Sequence, residues 1–323
     1  MIIITVKNGL GNQLFIYAFG EYLKFRFPEQ NIVFDFSDLP YEINNRKTYK
    51  FIDVFNVPFE ELTVSGVRKF RGKKLYLDRP KSNNLTLYEK IDRKIGNILL
   101  CINKVRQISE PDYWEVQDDF ISFIKMFKAV PGENYIFDGF WENMDYILPI
   151  RHKLVENIKF KNNITNKIES KLILNNESVS VHLRRGDYIK ESLQEKYPKT
   201  FYALCDEEYY KKSIDIIKSN IKEPFFVFFS DEPDFVDSYF KELKNKIIIR
   251  GNKDYEDLQL MALCKHNIIA NSTFSFWGAF LNKNKGMVIA PRLHYIRMDI
   301  NQNRSKEFFK VPGWIYAENN GKL

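Results

Sequence analysis

Val179-Ser180-Val181-His182-Leu183-Arg184-Arg185-Gly186-Asp187-Tyr188 is the stretch that decides the fold. Its first half reads as a strand, and strands apolar on both faces belong to parallel sheets covered by helices. Its second half cannot remain inside such a sheet, because two unpaired arginines in a dry interior cost more than packing supplies. The arginines therefore mark the mouth of the strand. Alternation sets His182 and Arg184 on one side and Arg185 on the other.

The same grammar continues downstream. Tyr210, Ile214, Ile217 and Ile221 form one helical face, and Phe225 to Phe229 is a continuous apolar strand. Helical patterns over 233–243, 254–264 and 272–281 alternate with strand patterns over 247–249, 268–270 and 287–290. Strand–helix alternation of this kind predicts an α/β fold with a parallel sheet. Upstream, Ile2 to Val6 reads as a strand and Asn8-Gly9-Leu10-Gly11-Asn12 as a turn. A helix follows with Phe15, Phe19, Tyr22 and Phe25, then strands at Asn31–Phe36 and Tyr135–Phe137. Between about 37 and 130 the pattern weakens and predicts no topology. The domain boundary is expected between about 140 and 175, giving domains 1–150 and 151–323, with the last ~20 residues packing back on the first.

Length and composition bound the class. A chain of 323 residues holds about two domains. Its 44% hydrophobic and 28% charged residues exclude a collagenous, mucin-like or disordered chain. Lys+Arg 49 against Asp+Glu 42 leaves +7, spread along the sequence. That surplus suits an anionic substrate or a membrane surface and is no nucleic-acid signature. Cys101, Cys205 and Cys264 form no CxxC, which argues against a disulfide scaffold and a structural zinc site. With no leader segment and no run of about 18 apolar residues, a cytoplasmic protein is expected.

Ligands of open parallel sheets bind at the carboxyl ends of the strands. Those ends carry Arg184, Arg185 and Asp187; then Ser230-Asp231-Glu232; then Asn271-Ser272-Thr273-Phe274-Ser275, which opens a helix. Ser and Thr cap the free N–H groups of a helix start, which can also bind phosphate. The planar arginine fork matches phosphate oxygens. Together they read as a diphosphate cradle. Singly, the arginines read as salt bridges to Asp187 or Asp231, Ser272 and Thr273 as ordinary caps, and His182 as a core histidine.

Gly9-Leu10-Gly11-Asn12-Gln13-Leu14 sits between strand and helix like a dinucleotide fingerprint, with Asp35 after the next strand, but Leu14 takes the third glycine position. It reads either as a tight turn or as a polar lip, Asn12 and Gln13, facing a cleft. An NAD-dependent oxidoreductase using this turn, or a non-catalytic protein binding a nucleotide sugar or glycan, stays open at this point.

Four blocks resemble one family. They are Gly9 to Phe15 with Tyr17-Ala18, His182 to Tyr188, Phe229-Ser230-Asp231, and Asn271 to Ala279, with Pro312-Gly313-Trp314-Ile315 closing. In this order they resemble glycosyltransferase family 11, the α-1,2-fucosyltransferases, with Phe276 where many relatives carry Trp. The resemblance implies a GT-B-like fold, two Rossmann-like domains with a donor cleft between them. The C-terminal domain would hold GDP-fucose and the N-terminal domain the acceptor side. It implies Arg184, Arg185 and Asp187 as catalytic, with Arg184 the most important. Donor binding would fall to His182, Asp231, Asp257, Asn271, Ser272, Thr273 and Ser275, with Gly11, Asn12 and Gln13. Of these, His182 is expected near the nucleoside, Asp231 as organiser of the cluster and Asp257 on guanine.

The implied reaction is inverting transfer of L-fucose from GDP-β-L-fucose to the 2-hydroxyl of a terminal β-galactoside on a surface glycan such as lipopolysaccharide O-antigen. Transfer of another GDP-sugar is the alternative within the class. No D-x-D pair occurs in the chain, so no metal is expected, nor a cofactor besides the donor substrate, nor a nucleic-acid partner. Peripheral contact with the inner membrane through a lipid-linked acceptor is expected. A general base stays open among Asp187, Asp231 and Asp35.

Overall fold

The computed structural model describes residues 1–43, 46–71, 98, 101–111, 117–186, 200–299, 302–307 and 309–319. Asp187, expected among the catalytic residues, lies outside them. The chain divides into two compact units, Met1–Lys159 and Phe160–Leu323. The boundary falls beyond 150 because the helix Arg151–Asn157 belongs to the first unit. Its Leu154 is buried, and Lys153 Nζ lies 2.9 Å from the buried carboxylate of Glu21.

The first unit is built on β1 (Ile2–Thr5), α1 (Leu10–Arg26), β2 (Ile32–Asp35), β3 (Val105–Ser109) and β4 (Asn134–Asp138). Its parallel sheet has the order β2-β1-β4-β3, so β1 and β4 are central. All four residues of β1 are buried. The helix α1 is buried through Leu23, while Phe25, expected on its inner face, emerges with Lys24 and Arg26 in the last turn. Phe19 stacks on Trp141 with ring centroids 4.1 Å apart. The strand β3 comes from the stretch whose pattern predicted nothing. It is an edge strand with exposed Arg106 and Gln107, so it carries no continuous apolar run.

The second unit holds β5 (Glu177–Leu183), α2 (Glu207–Asn220), β6 (Pro224–Ser230), α3 (Pro233–Tyr239) and β7 (Lys246–Ile248). Next come α4 (Asp254–Leu263), β8 (His266–Ile268), α5 (Thr273–Phe280), β9 (Val288–Pro291) and β10 (Ile315–Ala317). The sheet is parallel, in the order β7-β6-β5-β8-β9-β10. Cores form on both faces. Phe226 and Phe228 pack with Tyr209, Ile214, Ile217 and Val236 on one; Phe225, Val227 and Phe229 pack with Ile173, Leu260 and Met261 on the other. A strand with two buried faces has no polar alternation, which is why Phe225–Phe229 is legible as it stands.

The chain winds from β5 outward through β6 to β7, then returns to β8 on the other side of β5. The winding therefore reverses between β5 and β8, where open sheets of this type bind ligands. The described part of the C-terminal tail extends this sheet: Ile315 pairs with Ile289. Asn319 fixes it there, accepting from Leu293 N at 2.9 Å and donating to the carbonyls of Leu293 and Ala203. An antiparallel ribbon, Thr200–Tyr202, Leu293–Asp299 and Gln302–Glu307, was not signalled by the sequence pattern. No described helix is long and apolar enough to cross a membrane.

Candidate active site

The carboxyl ends of β6, β5 and β8 are neighbours in the second sheet, and the charged residues expected at a ligand mouth collect there. The loop after β5 is organised by the carboxylate at the end of β6. Asp231 Oδ1 accepts from Arg185 N at 3.2 Å and Oδ2 from Gly186 N at 3.1 Å. The Arg184 Nη1 group lies 3.5 Å from Oδ2. The Asp231 side chain is only 7% exposed, so three protein donors satisfy a charge that water does not reach well. Both of its oxygens are engaged by the loop after β5. A Cβ at 186 would stand 3.0 Å from Asp231 Oδ2, so a side chain there would press on that carboxylate.

Arg185 is held by Glu232, which the sequence places at a strand mouth without a partner, and by Phe235, which it does not single out. Glu232 Oε2 accepts from Arg185 Nε at 3.2 Å, and the guanidinium lies 3.7 Å over the ring of Phe235 in α3. A cation on an aromatic face with a carboxylate at its edge has one orientation. The available signal was the phenylalanine one helical turn after Asp231, which reads first as a core residue.

His182 joins this cluster to the helix start. Its ring lies 5.8 Å from that of Phe274 in the first turn of α5. Its carbonyl accepts from Tyr210 OH at 3.1 Å, and burial pushes that phenol far above its ordinary pKa, so the proton stays on. Ser272 is the N-cap of α5, its Oγ accepting from Phe274 N at 3.3 Å. Thr273 is half-buried.

Other predicted residues turn inward. Ser275 is fully buried, its hydroxyl donating to Ala270 O at 3.2 Å or Ser272 O at 3.3 Å. Asn271 is fully buried, with Nδ2 donating to His294 O at 3.3 Å. Their polar groups close the turn before α5. Gln13 is likewise fully buried in the first unit, so it is no lip residue. Its Nε2 donates to Asn8 O and Tyr49 O, both at 2.9 Å, and its Oε1 accepts from Phe51 N at 2.9 Å. Gly11 is buried in the first turn of α1, and Asn12 is half-buried. Asp35 is fully buried with Oδ1 accepting from Ser37 N at 2.9 Å, which removes it as an accessible base.

Asp257 stands in the first turn of α4, after β7. Its Oδ1 accepts from Asn252 Nδ2 at 3.1 Å. Burial, helped by repulsion from Asp254 and Glu256, pushes its carboxyl up to about 6. Among the described residues no cluster of His, Cys, Asp and Glu could hold a metal ion.

The profile of glycosyl transferase family 11 matches residues 1–318. The chain belongs to glycosyltransferase family 11. It is an enzyme, so the oxidoreductase reading of the glycine turn and the reading of the chain as a non-catalytic binding protein both fall away. The alpha-1,2-colitosyltransferase of Escherichia coli is 31% identical over 310 residues, 93% of this chain and 94% of that protein. The O-antigen biosynthesis glycosyltransferase WbnK of Escherichia coli is 27% identical over 322 residues, 96% of this chain and 98% of that one. The crystal structure of fucosyltransferase NodZ from Bradyrhizobium superposes with a TM-score of 0.51 at 13% identity, covering 95% of this chain and 98% of its own. That likeness is one of fold, the GT-B-like pairing of Rossmann-like domains.

Proposed function

We propose that this family 11 enzyme transfers L-fucose from GDP-β-L-fucose to the 2-hydroxyl of a terminal β-galactoside, with inversion and without a metal. The observation that carries the reading is the loop after β5, where Arg184 and Arg185 are fixed by Asp231, Glu232 and Phe235 beside the capped start of α5. In such a transfer the acceptor oxygen attacks the sugar carbon as GDP departs, and charge grows on the diphosphate. Donors fixed in advance stabilise that charge without reorganising. Arg184 and Arg185 supply cationic donors, and α5 supplies the N–H groups of its first turn. Glu232 holds Arg185 through Nε, and the terminal nitrogens of the fork are assigned to the diphosphate. His182 and Asp257 are assigned to the nucleoside, Asp257 through its buried carboxyl. Thr273 is assigned to the phosphates.

The names of the relatives support the α-1,2 linkage, and that of WbnK supports an O-antigen acceptor. The relative named for colitose, the 3-deoxy form of L-fucose, favours one second reading, a GDP-colitose donor. The deciding experiment is a screen of GDP-fucose, GDP-colitose and GDP-mannose against β-galactosides, with linkage analysis of the product. A 1,2-linked fucoside is expected. Transfer from GDP-colitose alone would replace the donor, and absence of any GDP-sugar transfer would overturn the reading.

A further inference from the structure

We propose that Lys7, Asp138 and Phe140, at the carboxyl edge of the first unit's sheet, form the site for the acceptor pyranose; this rests on the reading of the chain as a fucosyltransferase acting on a galactoside. β1 and β4 are adjacent and parallel, so Lys7 and Asp138 emerge together. Lys7 Nζ is 2.9 Å from Asp138 Oδ1 and 4.7 Å over the ring of Phe140. The lysine and aspartate side chains are 30% and 31% exposed, and Phe140 is half-buried. A half-exposed ion pair adds little to stability, so folding alone does not account for this arrangement.

The loop that carries Phe140 is braced. Glu110 Oε2 accepts from Phe140 N at 2.7 Å and from Trp141 N at 3.0 Å. Glycine is required at 139, since a Cβ there would come 2.5 Å from Glu110 Cβ. Trp141 has φ 57°, in the left-handed region that a bulky residue rarely adopts, and its ring is anchored on Phe19. A strained, over-determined conformation at a strand mouth holds the neighbouring side chain in place.

The chemistry fits a neutral sugar. A pyranose has an apolar face of C–H groups that packs on an aromatic ring, and hydroxyls that both donate and accept. Phe140 offers the ring. Asp138 accepts from hydroxyls, and Lys7 donates to a hydroxyl oxygen. Asp138 sets one carboxylate against the single ammonium of Lys7, so the pair is neutral and suits an uncharged ligand.

The test is a saturation-transfer NMR titration of methyl β-galactoside against the full chain with saturating GDP. Wild type, Phe140→Leu, Asp138→Asn and Phe140→Trp are compared, with GDP affinity by calorimetry and melting by circular dichroism. Wild type is expected to bind the sugar, and the Leu and Asn variants to bind it at least about tenfold more weakly with unchanged GDP affinity and melting. The Trp variant, which keeps an aromatic face, is expected to retain binding. Sugar affinity untouched by Phe140→Leu and Asp138→Asn, GDP affinity lost in parallel, or no galactoside binding by wild type would each overturn the proposal. If no fucosyl transfer occurs yet sugar binding persists and depends on Phe140, the donor reading fails and this one stands.

Discussion

Two loops, one in each unit, share a plan and differ in charge. After β4, Glu110 accepts from the consecutive amides of Phe140 and Trp141; after β5, Asp231 accepts from those of Arg185 and Gly186. Each loop has a glycine pressed against that carboxylate, Gly139 or Gly186. Each presents a cation over a ring, Lys7 on Phe140 at 4.7 Å and Arg185 on Phe235 at 3.7 Å. The first loop pairs one lysine with one carboxylate, Asp138. The second balances two arginines against Asp231 and Glu232 and adds the start of α5. If both proposals hold, the same brace serves either a neutral or an anionic ligand, and the side chains on the brace decide which.

The comparison breaks most directly at Arg184. Arg184→Ala is expected to lower kcat by about 10²–10³ with the fold retained, as for loss of a preorganised donor. Near-normal turnover would take Arg184 out of the mechanism. The brace itself comes next. Asp231→Asn weakens charge-assisted bonds to two amides and to Arg184, and a loss of about 2 kcal/mol, or roughly thirtyfold in kcat/KM for the donor, is expected. Equal loss of acceptor affinity would mean that the two loops do not divide the ligands.

Phe235 sharpens the comparison at a smaller scale. A cation–aromatic contact contributes about 0.5–2 kcal/mol, so Phe235→Leu should raise the donor KM roughly two- to thirtyfold, and Phe235→Trp should restore it. A purely packing role would leave the donor KM unmoved. Asp257 gives a pH-dependent effect. Between about pH 4 and its raised value of about 6, the unfolded carboxyl ionises while the buried one keeps its proton, so the folded state loses stability as pH rises. Asp257→Asn removes that loss and should gain about 1–2 kcal/mol relative to wild type between pH 4 and pH 7, read by denaturant unfolding. A difference that does not vary with pH would refute the buried-carboxyl account. The smallest effect is a null: EDTA should leave the rate unchanged, and strict, reversible metal dependence would contradict neutralisation by arginines.

Much of the second sheet was legible because its strands are buried on both faces, as Phe225–Phe229 shows. The cluster of Arg184, Arg185 and Asp231 was legible because charges following apolar strands must lie at the strand ends. β3 was not, since an edge strand with Arg106 and Gln107 exposed has no apolar run. Gln13 and Ser275 were misread because a polar side chain in a turn can face either a ligand or its own backbone, and both face backbone. Glu232 was legible at the strand mouth but not as the partner of Arg185, and Phe235 was not singled out, because their meeting with Arg185 joins residues distant in the chain.

By itself, then, the sequence determined the periodicities, the alternation of strand and helix, and the residue types at each strand mouth, all of which are local. Tertiary structure alone decided which side chains face outward, which carboxylate braces which loop, and that the tail extends the second sheet. Those depend on contacts between segments far apart in the chain, and in a close-packed interior each such contact is settled only when its neighbours are in place.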